Sequence, residues 1–236
     1  MIHLLFRRAL CATLFFIFQF SIFNLSAQPT AMRDVFAAMP DSIAPLVTKN
    51  NRLDCIDFIE NGMEARVRNV LDQYVTLESL TPDYARFRTS SMAVMEMKLL
   101  PVNDSTSVLC LVRTALTGEA NTPRRLEDSN ILFLNPDWTP LDSAAAFFTL
   151  PPLSAFITSD TPAEETVTSE YSEETYAAAL RSLDSFHPIR LALSSDSATL
   201  TATVQPAYLA KDEREAITPR LRPLTFRWNG AAFVLE

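Results

Sequence analysis

"SSMAVMEMKLLPVNDSTSVLCLVRTAL", from Ser90 to Leu116, decides the class of fold. Within it "AVMEMKLL" (93–100) and "SVLCLVRTAL" (107–116) have the composition and period of strands, and "PVNDST" between them carries turn chemistry. A parallel crossover needs about a dozen residues or more, so this short separator predicts an antiparallel hairpin. Working toward the N-terminus, "YARFRT" (84–89) and "YVTLESL" (74–80) are further strands, set apart by "SSM" and "TPD". In the other direction, "NILFLNPDWTPLD" (130–142) reads as a strand and a tight turn at Pro136–Asp137.

Before Gly62 the apolar period is helical. Val35, Phe36 and Met39 share one face, and Pro40 ends that turn. Asp41 and Ser42 are expected to cap a second short segment with Pro45 in its first turn. Asn51 is expected to cap a third, with a stripe of Leu53, Ile56 and Ile59 and a stop at Gly62 after Asn61.

Beyond the first set of strands, "TLPPLSAFITSDTPAEETVTSEYSEET" (149–175) reads as a polar connection. Ser172 then caps a helix through about Leu183, with Glu173 and Glu174 at the positive end of its dipole. "IRLALS" and "ATLTATVQ" are strands, and "LTFRWNGAAFVLE" is expected to turn as a two-residue type I′ hairpin at Asn229-Gly230. "SSDSATLTATVQP" (194–206) repeats the pattern of Ser90–Pro101: a Ser-Ser turn, an alternating run and a stopping proline. The halves read as a divergent tandem duplication, with convergence on a common hairpin layout as the competing explanation. The expected class is α+β: short helices followed by an antiparallel sheet, then a second helix-plus-antiparallel-sheet unit. The segments are a leader (1–27), a first unit (28–148), a connection (149–171) and a second unit (172–236).

The leader is read from Arg7 and Arg8, the apolar run Ala9 to Phe23, and small residues at Ser26 and Ala27 that place cleavage before Gln28. The apolar run is too short for a membrane span and has no basic stop-transfer flank. Cys11 stands at the start of the run, not at its end, so no lipid anchor is expected. The expected destination is the periplasm, the cell surface or the medium. Cleavage leaves 18 basic and 28 acidic side chains, a formal charge of about −10. Such a balance repels phosphate backbones, so nucleic acid is not an expected partner, and no transmembrane segment remains. Of the cysteines, Cys55 and Cys110 survive; they read as buried thiols, with a disulfide as the alternative.

Taken together, "MPDSIAPLVTKNNRLDCIDFIENGM" (39–63), "LTPDY", "MEMKLLP", "NPDWTPLD" and the terminal "WNGAAFV" resemble a family of exported Bacteroidales proteins known as domain of unknown function 3256. The resemblance runs through essentially the whole mature chain. It implies no activity, cofactor or catalytic residue.

The residues themselves point away from familiar catalysis. The chain has three glycines, no Gly-flanked serine elbow and no phosphate loop. His187, between Phe186 and Pro188, is the one histidine after the leader and reads as structural. Cys55, Cys110 and His187 lack zinc-ligand spacing. Asp54, Asp57 and Glu60 read as a solvated helix face balanced by Lys49 and Arg52, and Glu164, Glu165, Glu170, Glu173 and Glu174 lack the spacing of a calcium loop. Trp138 and Trp228 are expected in cores, with stacking on sugars or peptides as the alternative. No catalytic, cofactor-binding or metal-ligating residue is assigned. The expected function is a non-catalytic envelope module binding a protein, peptide or glycan. A carboxylate-dependent hydrolase such as a glycosidase, or a secreted inhibitor, are the alternatives.

Overall fold

The computed structural model describes residues 30–118, 125–141, 146–158 and 173–236. Two helices come first: α1 (Met32–Ala37) and α2 (Lys49–Glu60). Six strands come next: β1 (Arg66–Arg68), β2 (Tyr74–Leu80), β3 (Tyr84–Ser90), β4 (Ala93–Pro101), β5 (Ser107–Thr117) and β6 (Leu126–Leu134). They form an antiparallel sheet in chain order, as the short separators require. Helix α3 (Glu173–Ser185) leads to β7 (Ile189–Leu193) and β8 (Thr199–Val204), and α4 (Lys211–Ile217) precedes β9 (Leu224–Trp228) and β10 (Phe233–Leu235). These four strands make a second antiparallel sheet in the order β10-β9-β8-β7. The α+β class read from the sequence is the class observed.

The central strands are apolar on both faces because both faces are covered. Met95, Met97, Leu109 and Leu111 pack with Phe36, Cys55 and Ile56 of the helices. Leu100, Val108, Cys110 and Val112 point the other way, into a second core with the buried face of the second sheet. Burying an aliphatic side chain of this size contributes about 1.5–3 kcal/mol. Lys98 is also buried there, 2.8 Å from Asp83, and donates to the Ser195 carbonyl at 2.9 Å in the β7–β8 turn. Ala31–Glu236 thus forms one unit.

Several local expectations change. Residues 41–46 form turns, not a helix. Helix α2 is capped by Thr48, whose hydroxyl accepts from the Asn51 N–H at 3.2 Å while Asn51 Oδ1 accepts from the Thr48 N–H at 3.0 Å. Asn51 is the third residue of that reciprocal cap, one place where capping residues stand near each other and the sequence leaves the choice ambiguous. Leu53 is exposed, and Arg52 takes the buried face with Cys55 and Ile56. Gly62 does end the helix, at φ +70°.

The terminal hairpin is not a two-residue turn. Phe233 pairs with Trp228, leaving four residues, 229–232, in the loop. Only Gly230 has positive φ, while Asn229 Oδ1 accepts from the Ala231 and Ala232 N–H groups at 2.9 Å each. Asn229 therefore acts through its side chain, as an Asx turn does, and not through a left-handed backbone. In the segment read as a connection, Leu153–Phe156 forms a 3-10 turn with Leu153 and Phe156 in the second core. The expected cap at Ser172 and the acids at 164, 165 and 170 lie outside the described residues, as does the expected leader.

The two halves share antiparallel hairpins of like layout, β3–β4 and β7–β8. They differ in the connection to the third strand: β4 turns directly into β5, whereas α4 intervenes between β8 and β9.

Candidate functional site

A groove of about 610 Å³ opens where the first sheet extends past its covering helices. Its floor is built from two cross-strand rows. Met95, Arg113 and Asn130 face one another across β4, β5 and β6, and Ala93, Ala115 and Asp128 make the next row. Alternation brings these residues to the same face as Met97, Leu109 and Leu111; buried Met95 closes the edge of the first core, and the other five lie beyond it. The volume lies in the range of small-ligand clefts, about 300–1,000 Å³.

The wall is the turn segment Ile43–Val47. Arg52 holds it in place. The Arg52 side chain, 2% exposed, donates from Nη2 to the Met39 carbonyl at 2.5 Å and from Nη1 to the Val47 carbonyl at 2.7 Å. It also reaches Asp41 at 3.0 Å. The Val70 N–H bonds the Leu46 carbonyl, so exposed Leu46 and Val70 form an apolar shoulder beside the groove. Exposed Met92, in the β3–β4 turn between groove residues Ser90 and Ala93, adds another such side chain. Exposed apolar groups gathered at a cleft mark a contact surface more often than groups scattered singly.

Polar atoms are distributed around the apolar lining: the Thr89 and Ser90 hydroxyls, the Asn130 amide and the Arg113 guanidinium. Arg113 is exposed and has no carboxylate within 4.0 Å among the described residues. One Asp128 carboxylate oxygen is already engaged, accepting from the Ile189 N–H at 3.1 Å. None of the described residues lining the groove is aromatic.

The residues singled out from the sequence are elsewhere. Asp54 and Asp57 are exposed on α2, and Glu60 pairs with Arg33 at 2.7 Å. Arg52 is the wall anchor and not a partner in a solvated charge face. His187 Nδ1 contacts the Leu183 carbonyl at 3.1 Å at the end of α3. No group of three or more His, Cys, Asp or Glu among the described residues is placed to hold a metal ion. Cys55 and Cys110 are free, buried and on opposite faces of the first sheet. Burial pushes the Cys55 thiol up to about 11 and the Cys110 thiol higher still.

Both tryptophans are core residues. Trp138 Nε1 donates to the Val35 carbonyl at 2.9 Å, tying the loop after β6 to α1. Trp228 Nε1 donates to the Pro101 carbonyl at 2.7 Å, tying the second sheet to the first. Trp138 does so at φ +70°, a left-handed conformation that a side chain of this kind occupies only when its surroundings hold it there.

Arg113 and the groove wall escaped the sequence reading. One signal was present: in "LCLVRTAL" Arg113 is the sole charge in an apolar strand. Such a residue faces either an ion partner or an opening in the core's cover.

A solved structure of a domain of an uncharacterised protein from Porphyromonas gingivalis W83 is similar to this chain, with 27% identity and a TM-score of 0.69. The match covers 89% of this chain and 99% of that one. No curated protein matches. The family model described as "Protein of unknown function (DUF3256)" matches residues 23–233, and the chain belongs to that family.

Proposed function

We propose that this protein is an exported, non-catalytic binding module whose groove takes an extended peptide segment of a partner protein. The segment would place an aliphatic side chain over Ala93, Met95 and Ala115 and a carboxylate against Arg113. The observation that carries this reading is the groove itself: an apolar floor and shoulder, dispersed hydroxyl and amide groups suited to peptide N–H and C=O groups, and one exposed arginine without a carboxylate partner among the described residues. A peptide suits it better than a glycan because sugar faces dock on aromatic rings and this lining has none. The apolar leader with Arg7 and Arg8 supports export to the envelope. The acidic balance of the chain after the leader supports a partner other than nucleic acid.

Selection of binders from a random peptide library displayed against residues 28–236 tests the reading. The expected binders combine aliphatic residues with an acidic group or a free C-terminus. Ala115→Lys should abolish their binding by filling the floor, while Asp54→Ala should leave it unchanged. Binders lost with Asp54→Ala but retained by Ala115→Lys would place the site elsewhere.

A further inference from the structure

On the opposite face of the first sheet, a second and much smaller opening separates the two sheets. It holds about 70 Å³ and is lined mainly by charged side chains. Arg86 and Arg88 enter from β3, Arg125 from the residue before β6, and Arg190 from β7 of the second sheet. Three carboxylates stand among these four guanidiniums, and each is already engaged. Glu78 receives Arg86 at 2.7 Å and Arg88 at 2.6 Å. Glu96, 4% exposed, accepts from Arg86 Nη1 and from the Tyr84 hydroxyl at 3.1 Å. Glu127 receives Arg190 Nε at 2.7 Å.

Arg125 has the weakest pairing. Its Nε meets Glu127 Oε1 only as a 3.6 Å ion pair, beyond hydrogen-bond reach, and is buried with no hydrogen-bond partner among the described residues. Among the described residues, four positive groups against three negative ones leave one charge unbalanced. The side chains concerned are only partly exposed, so water screens that charge less than it would at an open surface. A buried donor without an acceptor is destabilising, and here it is on the same guanidinium. Both deficits are met by one ligand: an acceptor carrying a single negative charge.

We propose that this inter-sheet crevice is a binding site for a small monovalent anion, held by Arg125 with the terminal N–H groups of Arg88 and Arg190, whose Nε atoms meet Glu78 and Glu127. Its size sets the class. The space equals a little more than the liquid volume of two water molecules at about 30 Å³ each, enough for a halide and its water but not for a sugar or nucleotide. The site and the groove share only Val94 and Thr114 of their linings, and the groove's arginine is a different one. Because Arg190 belongs to one sheet and Arg86, Arg88 and Arg125 to the other, the bound ion links the two.

Thermal unfolding of the chain from Gln28 at constant ionic strength, with sodium gluconate replaced stepwise by sodium chloride, tests the site. A site half-filled near 10 mM predicts a saturable rise in Tm of about 3–5 °C at 100 mM chloride, since the ion binds only the folded state. Arg125→Gln balances the charge and should abolish the chloride response. Arg125→Lys keeps the charge and should retain part of it. Crystals soaked in bromide should show anomalous density between Arg88, Arg125 and Arg190. A chloride-independent Tm, an undiminished response in Arg125→Gln, or bromide-soaked crystals with no density in the crevice would each overturn the proposal.

Discussion

Replacing Arg52 by methionine separates the groove wall from the rest of the fold, and its cost can be worked from the contacts. The guanidinium makes two hydrogen bonds to buried carbonyls, of Met39 and Val47, and one to the exposed Asp41. A hydrogen bond from a charged donor contributes about 1.5–3 kcal/mol when buried, while a pair with an exposed partner contributes about 0–1 kcal/mol. Methionine keeps the apolar stem of the side chain but leaves both carbonyls without a donor. The expected loss is about 3–5 kcal/mol. At about 2–4 °C per kcal/mol for a chain of this size, Tm should fall by roughly 6–20 °C. Asp41→Asn should cost less than about 1 kcal/mol, because its carboxylate is open to water. Urea denaturation monitored by tryptophan fluorescence measures both variants. A loss below about 1 kcal/mol in Arg52→Met would refute the assignment of Arg52 as the anchor, as would an equal loss in Asp41→Asn.

Three further outcomes concern single sites. Trp138→Ala and Trp138→Gly both lose a buried ring and its bond to Val35, about 3–5 kcal/mol, but the glycine variant should stay about 1 kcal/mol more stable because φ is +70° there. Equal stabilities in denaturant titrations would show that the left-handed backbone carries no strain. Asn229→Ala should cost about 1 kcal/mol through loss of the two Asx hydrogen bonds, and Asn229→Asp should recover most of it; a neutral alanine variant would contradict that role for the side chain. Stability should also fall as pH rises from 9 toward 11. The Cys55 thiol titrates near 9 when unfolded and near 11 when folded, so the folded state retains its proton longer and loses that advantage through this window, about 2–3 kcal/mol in all. Cys55→Ala should show a shallower decline, and identical pH profiles for the two proteins would argue against it.

The sheets were legible in the sequence because alternation and turn chemistry are local. Val94 to Leu100 and Val108 to Val112 could be read as strands without knowing what covers each face, and short separators forced their antiparallel order. The local errors arose where two residues could do the same job. Thr48 and Asn51 are both competent caps and in fact act together. Asn229-Gly230 suits a two-residue turn, but the register fixed by Phe233 opposite Trp228 demands four residues in the loop. The groove was illegible for a different reason. Its floor joins Ala93, Ala115 and Asp128 across three strands, and its wall is a turn braced by a buried arginine. Periodicity marks which face of a strand a residue occupies, not where the helices above that face stop. Arg52 looked like part of a charged surface because Asp54 and Asp57 lie close by in the chain, and only the packing of α2 shows it turned inward.

Amide hydrogen exchange on residues 28–236, with and without a peptide selected for binding, locates the binding surface. Slowed exchange is expected in three separate stretches: 43–47 of the wall, 113–115 of β5 and 128–130 of β6. Exchange in the exposed face of α2 around Asp54 and Asp57 should not change. Protection confined to α2 or to the second sheet, with those three stretches unaltered, would contradict the assignment of the groove as the binding site.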